Sequence, residues 1–319
     1  MKRFKNILLV FDPKTRTQRI LDRAEALAKD NVARITILSF VKDIPSELSI
    51  AITAMPPQEL FTVLMKERQT QVDALVSAMS QKGIKASAKV LSGTPFLEII
   101  RQVLRKKHDL VMIAAEGKGV LAERLFGSTS MHLMRKCPCP VWVVKDTRHK
   151  KYQQILAAVD TTGDYPEHQQ NSLNPLIMQL AGAMAKMNNA ELHAIQVWSV
   201  YGEGYMDMRG GLNEKSIRNF RTIAKKQYTD QLNKLLAAVD LDGVTVHKHL
   251  PRAEDVSKAI VSLVKNKKID LLVMGTVCRT GVAGFFIGNT AEKVLNRVNC
   301  SVLTVKPEGF VTPVKLVEA

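Results

Sequence analysis

Residues 109–145 read DLVMIAAEGKGVLAERLFGSTSMHLMRKCPCPVWVVK, and residues 270–306 read DLLVMGTVCRTGVAGFFIGNTAEKVLNRVNCSVLTVK. The two align without a gap at an offset of 161, setting Asp109 against Asp270, Lys118 against Arg279, Gly127 against Gly288, Thr129 against Thr290, Cys139 against Cys300 and Lys145 against Lys306. Each copy holds an apolar run, a glycine-bearing loop, a short helical pattern and a second apolar run. A repeat unit of this length is a whole domain, not a solenoid element. The starts repeat as well: KNILLVFD at Lys5–Asp12 matches QQILAAVD at Gln153–Asp160, at an offset of 148. In 319 residues this makes two related domains, each large enough to bury its own core. Their expected bounds are 1–147 and 152–307, joined by a short basic linker and followed by a tail at 308–319.

Working outward from the repeat, strand and helix patterns alternate. In the first half Ile7–Phe11 and Ile35–Leu38 read as strands, with Ile20, Leu21, Ala24, Leu27 and Ala28 at helical spacing between them. Leu60, Leu64, Arg68, Val72, Leu75 and Met79 mark a long helix face closed by Gly83. Strand Ala86–Leu91, helix Phe96–Leu104, strand Leu110–Ala114, helix Ser128–Arg135 and strand Val141–Val144 follow. The second half repeats the order: strand Ile155–Val159, a helix through Leu173, Leu180 and Met184, and strand Leu192–Val197. A helix face of Ile217, Phe220, Ala224, Tyr228, Leu232, Leu235 and Val239 comes next. Strand Val244–His249, helix Val256–Leu263, strand Leu271–Met274, helix Thr290–Arg297 and strand Val302–Val305 complete it. Strands apolar on both faces and separated by helices predict a parallel sheet covered on each side. The fold class is therefore α/β, with two tandem doubly wound, Rossmann-like domains of five strands. Ligands of such sheets sit at the carboxyl ends of the strands, where strand order reverses.

Composition narrows the function. Hydrophobic residues at 46% and charged residues at 24% are those of an ordinary globular protein. No apolar run approaches the roughly 20 residues of a membrane span, and MKRFKNILLVFDP reads as a first strand, not a secretory leader. Four cysteines, two of them as Cys137-Pro138-Cys139, supply no disulfide framework and point to reduced thiols in a cytoplasmic protein. The net charge of +16 is concentrated in residues 1–150, with 26 Lys/Arg against 14 Asp/Glu. That excess favours anionic partners such as nucleotides, nucleic acid or phospholipid headgroups. Aromatic content of 5%, not interleaved with the basic residues, argues against nucleic acid as a partner.

The chemistry falls on the strand-end edge. In the C-terminal copy the run from Gly275 to Glu292 leaves the fourth strand and enters a helix. Its glycines allow close backbone approach, and the N–H groups at the helix start suit a phosphate. Arg279 and Thr280 add a cation and a hydroxyl, while Asp160 is placed to accept from a ribose. The alternative is structural: Asn289 as N-cap with Glu292 three residues on is a capping-box-like pair that needs no ligand.

These motifs resemble the universal stress protein family over nearly the whole chain, and within it the tandem-domain members. The family's ATP-binding members carry Gly-x2-Gly-x9-Gly-Ser/Thr in this loop. The C-terminal copy reads Gly275-x2-Cys278-x9-Gly288-Asn289, and the N-terminal copy Ala114-x2-Gly117-x9-Gly127-Ser128. By this resemblance a nucleotide in the C-terminal domain would meet Asp160, Thr161, Val197, Gly275, Thr276, Arg279, Thr280, Gly281, Gly288, Asn289 and Thr290. A weaker N-terminal site would use Asp12, Gly117, Lys118, Gly127, Ser128 and Thr129, because Glu116 sets an anion beside any phosphate. Cys278 is the C-terminal defect; it closes the cradle only if its φ must be positive. The resemblance also implies that Val141–Val144 and Val302–Val305 pair edge to edge, packing the domains as an intrachain pseudo-dimer.

His247 and His249, two apart on a strand, point to one side and are the weak candidates for a metal; no third ligand is identifiable and no metal is expected. The segment from Val197 to Gly211 reads either as a lid over an apolar ligand or as an inserted loop. No Gly-Lys-Ser/Thr loop, nucleophile elbow or zinc motif is present, so hydrolysis has no named base. The expected protein is a stress-response binding and signalling module for ATP or a related nucleotide, acting as a single-chain pseudo-dimer or a homodimer with protein partners. Two readings stay open beside it: a ligand-free interaction scaffold, and a slow nucleotide hydrolase (a weak ATPase) or metal-dependent site.

Overall fold

The computed structural model describes residues 4–15, 18–43, 56–115, 126–146, 150–161, 167–200, 214–276 and 287–316. These divide into two compact units. The first takes the described residues up to Asp146 and the C-terminal stretch from Phe310; the second takes those from Lys150 to Gly309. Of the expected tail, Val314 is buried and the Lys315 carbonyl accepts from Arg101 Nε at 3.4 Å.

The first unit runs β1 (Asn6–Phe11), α1 (Gln18–Asn31), β2 (Arg34–Phe40), α2 (Pro57–Gln81), β3 (Ala86–Leu91), α3 (Pro95–Lys106), β4 (Leu110–Ala114), α4 (Ser128–Lys136) and β5 (Val141–Val144). Its strands are parallel in the order β3-β2-β1-β4-β5. The second runs β6 (Gln154–Ala158), α5 (Glu167–Asn188), β7 (Glu191–Ile195), α6 (Glu214–Ala237), β8 (Val246–His249), α7 (Val256–Asn266), β9 (Leu271–Gly275), α8 (Asn289–Leu295) and β10 (Ser301–Val305). Its order is β8-β7-β6-β9-β10, again parallel. The doubly wound α/β expectation holds in each unit. Strands β4, β5 and β10 are buried at every position, as a sheet covered on both faces requires.

The repeat is deeper than the aligned letters. Asp109, just before β4, accepts from the backbone N–H groups of Lys5 at 2.6 Å and Asn6 at 3.0 Å. Asp270, just before β9, does the same for Gln153 at 2.7 Å and Gln154 at 3.0 Å. At the ends of α1 and α5, Asn31 and Asn188 each donate back to the helix and accept from the N–H of Phe4 or Tyr152. The helix-to-strand turns carry matched left-handed residues, Val32 with Asn189 (φ 52° and 54°) and Lys107 with Lys268 (φ 52° and 50°). The recurrent aspartates thus serve the fold: they satisfy N–H groups at the amino ends of the strands, away from the ligand edge.

Several expectations are corrected. The apolar faces of the two long helices extend beyond their packing: Val72 and Met79 in α2, and Leu232 and Leu235 in α6, are buried, whereas Phe220 is 47% exposed. Helix α8 is capped by Gly288, not Asn289, and no side chain caps it, so the capping-box alternative is not formed. It ends at Leu295, short of Arg297. No helix among the described residues is long and apolar enough to cross a membrane.

Candidate functional site

In the second unit the chain moves outward from β6 through β7 to β8, then returns to place β9 on the other side of β6. The reversal lies between β6 and β9, and the crevice at their carboxyl ends is where such folds bind ligands. Asp160 and Thr161 follow β6; Gly275 ends β9 and Thr276 follows it; Gly288, Asn289 and Thr290 open α8.

Asp160, Thr161 and Thr276 are each held by a side chain from a neighbouring element. The Asn174 amide of α5 grips Asp160 from both sides, accepting from its N–H at 3.1 Å and donating to its carbonyl at 2.7 Å. Gln196, 1% exposed just beyond β7, accepts from Thr161 N–H at 2.7 Å through Oε1 and donates to the Val197 carbonyl at 3.0 Å through Nε2. Thr161 Oγ1 donates to Gln231 Oε1 of α6 at 3.1 Å. On the other side Thr276 is fully buried; its N–H donates to the Val305 carbonyl at 3.3 Å and its carbonyl accepts from Gly288 N–H at 3.2 Å. Lys306, the residue after β10 and itself buried, donates from Nζ to Thr276 Oγ1. A cation therefore stands beside the start of the glycine loop. Gly275 is close-packed: a Cβ there would come within 2.9 Å of Leu173 Cδ2.

Asp160, Thr161, Val197, Gly275, Thr276, Gly288, Asn289 and Thr290 are thus brought to one edge, with Asn289 and Thr290 exposed and Val197 buried. Arg279, Thr280, Gly281 and Cys278 lie outside the described residues, as do Glu116, Gly117 and Lys118 of the N-terminal loop. Of the segment considered as a lid, Trp198 belongs to the sheet instead. Its N–H and indole Nε1 donate to the carbonyls of Pro251 and Leu250 at 3.1 and 3.0 Å, and it bridges Arg252. Residues 201–211 lie outside the described residues.

The first unit has the same reversal, between β1 and β4, but different furniture. Asp12 Oδ1 accepts from Lys14 N–H at 2.9 Å and its carbonyl accepts from Thr15, which folds the residue into a tight turn. Gly127 caps α4 without a side-chain hydrogen bond, and Ser128 and Thr129 begin the helix. The positions of Gly275 and Thr276 are taken by Ala114 and Ala115, so the buried hydroxyl is missing. Arg68 of α2 lies across the strand ends instead, donating to Ser39 Oγ at 3.1 Å and the Phe40 carbonyl at 3.0 Å. Matching the helices on their buried positions, Val72 with Leu232 and Met79 with Val239, sets Arg68 opposite Tyr228, whose ring lies 6.3 Å from Trp198. One copy carries a cation where the other carries an aromatic ring.

The structure adds neighbours to His247 and His249. They face one side of β8 as expected, and a third histidine, His193 of β7, lies between them and the rest of the sheet. His193 Nδ1 is 2.9 Å from His249 Nε2, and its Nε2 is 2.6 Å from Gln154 Oε1. His247 Nε2 is 3.1 Å from Glu191 Oε2. Burial and the two neighbouring imidazoles push His193 down to about 4. Burial, with Lys267 and His247, also lowers His249. Both ring nitrogens of His193, Nε2 of His249 and Nε2 of His247 are engaged in these contacts. Among the described residues no group of three donors could hold a metal ion.

Sequence reasoning gave no site role to Asn174, Gln196, Gln231, Lys306 or His193. The amides carry no motif and act only through tertiary neighbours. Lys306 was visible as the repeated partner of Lys145, and Arg68 as a cation on an otherwise apolar helix face.

Comparison with known proteins agrees with this architecture. The universal stress protein family matches twice, over residues 3–145 and 151–306. Universal stress protein E of Salmonella typhi is 28% identical over 321 residues, covering 99% of this chain and 98% of that one. The protein of the same name from Escherichia coli K12 is 28% identical over 325 residues, with the same coverage. Among solved structures, a functionally unknown protein of Pseudomonas aeruginosa PAO1 superposes with a TM-score of 0.73 at 21% identity, covering 97% of this chain and 95% of its own. A universal stress protein of Archaeoglobus fulgidus does so with a TM-score of 0.62 at 19% identity, covering 95% and 98%. Two matched domains, the doubly wound sheet in each unit and full-length relatives of the same tandem build make this chain a tandem member of the universal stress protein family.

Proposed function

We propose that the chain is a nucleotide-responsive binding module of stress adaptation, with its principal site at the β6/β9 strand ends of the second unit and ATP or a related adenine nucleotide as ligand. One observation carries the reading. The residues that match the family's ligand motif and are described in the second unit, Gly275 and Gly288, converge with Asp160 on the edge where strand order reverses. Lys306 adds fixed positive charge there, and the uncapped start of α8 leaves its first N–H groups without a side-chain acceptor. The first unit is the weaker site: Asp12 is folded into a turn, and alanines replace Gly275 and Thr276.

Titration calorimetry of the whole chain with ATP tests this. Gly288→Val should abolish the tighter site, because a branched side chain would stand where the ligand meets the helix start. Arg279→Ala should weaken ATP by about 1.5–3 kcal/mol, the value of a hydrogen bond to a charged group. ATP binding that survives Gly288→Val unchanged, or that is lost with Gly127→Val instead, would overturn the assignment.

A further inference from the structure

The three histidines of the second unit form one polar chain whose proton positions are fixed from one end. Gln154 Nε2 donates to Glu191 Oε2 at 3.4 Å, and a carboxylate only accepts. That orients the amide, so Gln154 Oε1 faces His193 Nε2 at 2.6 Å and His193 must carry its proton on Nε2. Its Nδ1 is then an acceptor, and the proton in the 2.9 Å contact belongs to His249 Nε2. His247 donates to the same Glu191 that anchors the chain. Its ring stacks on His193 at 4.8 Å between centroids, and the His249 ring lies 5.1 Å away.

A further proton disturbs this order. A second proton on His193 would have to sit on Nδ1, facing the N–H of His249 until His249 moves its own proton to its other ring nitrogen. His193 is 3% exposed, so water cannot stand in as acceptor. The charge would also lie among His247, His249 and Lys267, the residue that caps α7, opposed by the Glu191 carboxylate; Lys248 turns to the other face, where it bonds Asn233. Strand β8 is the outermost strand of its unit and pairs with β7 on one side. The backbone bonds of this ladder run on from Gln196 N–H to the His249 carbonyl at 3.0 Å and Trp198 N–H to the Pro251 carbonyl at 3.1 Å. Gln196 is the residue whose side chain holds Thr161.

We propose that Glu191, His193, His247 and His249 form an acid-responsive latch, in which proton uptake at His193 releases edge strand β8 and slackens the Gln196–Thr161 end of the cleft. The latch itself does not depend on the nucleotide reading; only the consequence for ligand affinity rests on it.

The test is a histidine ring NMR titration of the whole chain between pH 3.5 and 8, paired with urea unfolding over the same range. A group moved from 6.5 unfolded to about 4 folded binds its proton more readily in the unfolded chain. Stability is therefore complete above pH 6.5 and is lost as pH falls towards 4, with the folding constant dropping roughly 50-fold between pH 7 and 4.5 from this group. His193→Gln, which keeps an amide donor and acceptor but cannot titrate, should remove that part of the slope. His249→Gln should raise the His193 titration midpoint. The ring titration of the wild-type protein needs no variant to fold. A His193 ring that titrates near 6.5, or an unchanged pH slope in His193→Gln, overturns the latch. If the latch titrates as expected but ATP affinity is pH-independent, the latch stands and its link to the cleft falls.

Discussion

Gln196 is the side chain on which the described site turns, and Gln196→Met isolates its polar ends. Methionine keeps the length and removes both the acceptor for Thr161 N–H and the donor to the Val197 carbonyl. Two hydrogen bonds of about 1 kcal/mol each are lost. Val197 is 8% exposed, so its carbonyl is left in an apolar setting at a further cost of about 1–2 kcal/mol. Thr161 is half-buried and its N–H can turn to water, which adds little. Methionine returns roughly 1 kcal/mol through its own apolar burial. The second unit should therefore lose about 2–3 kcal/mol, a urea midpoint shift of about 1 M for a slope of 2–3 kcal/mol/M. The chain's two tryptophans, Trp142 and Trp198, lie one in each unit, so fluorine-labelled tryptophan gives one reporter per unit. The Trp198 transition should move and the Trp142 transition should not. A Trp198 midpoint shifted by less than about 0.3 M, or a Trp142 midpoint that moves with it, would refute the account of how Thr161 is held.

Three further outcomes follow from the repeated architecture. Val32 is a β-branched residue at φ 52° and 75% exposed, while its counterpart is Asn189; Val32→Asn should stabilise the first unit by about 1 kcal/mol and raise its Tm by about 2–4 °C, checked by calorimetry. Asp270→Ala and Asp109→Ala each strip a charged acceptor from two backbone N–H groups, and each should cost its own unit about 2–3 kcal/mol in urea unfolding; a difference above about 1 kcal/mol would show that the aspartates are not equivalent. Lys306→Met should weaken ATP about tenfold and leave uncharged adenosine unaffected in calorimetry, since the lysine supplies charge beside Thr276; equal losses for both ligands would assign it a purely structural role.

Much of this was legible in the chain. The 161-residue offset fixed two domains, and apolar runs separated by helical spacing fixed a parallel sheet, because a strand buried on both faces must be apolar throughout and its parallel neighbour must be reached by a crossover. Gly275 and Asp160 were placed at strand ends and Gly288 at a helix start by pattern alone, and the doubly wound topology then brought them together. Helix limits were less legible: Asn289 has the side chain of an N-cap, yet the chain turns one residue earlier at Gly288, and capping depends on backbone angles that residue type only biases.

What tertiary structure alone decided is which polar groups meet. His193 lies 56 residues from His249, and only the β7/β8 register stacks it against His247 and His249. The same holds for Gln196 with Thr161, Asn174 with Asp160, and Arg68 with Ser39. Burying apolar surface is nearly independent of partner, so hydropathy along the chain specifies layers and faces. A hydrogen bond exists only within a few tenths of an ångström and a narrow angle, and that geometry is set by the folded sheet as a whole.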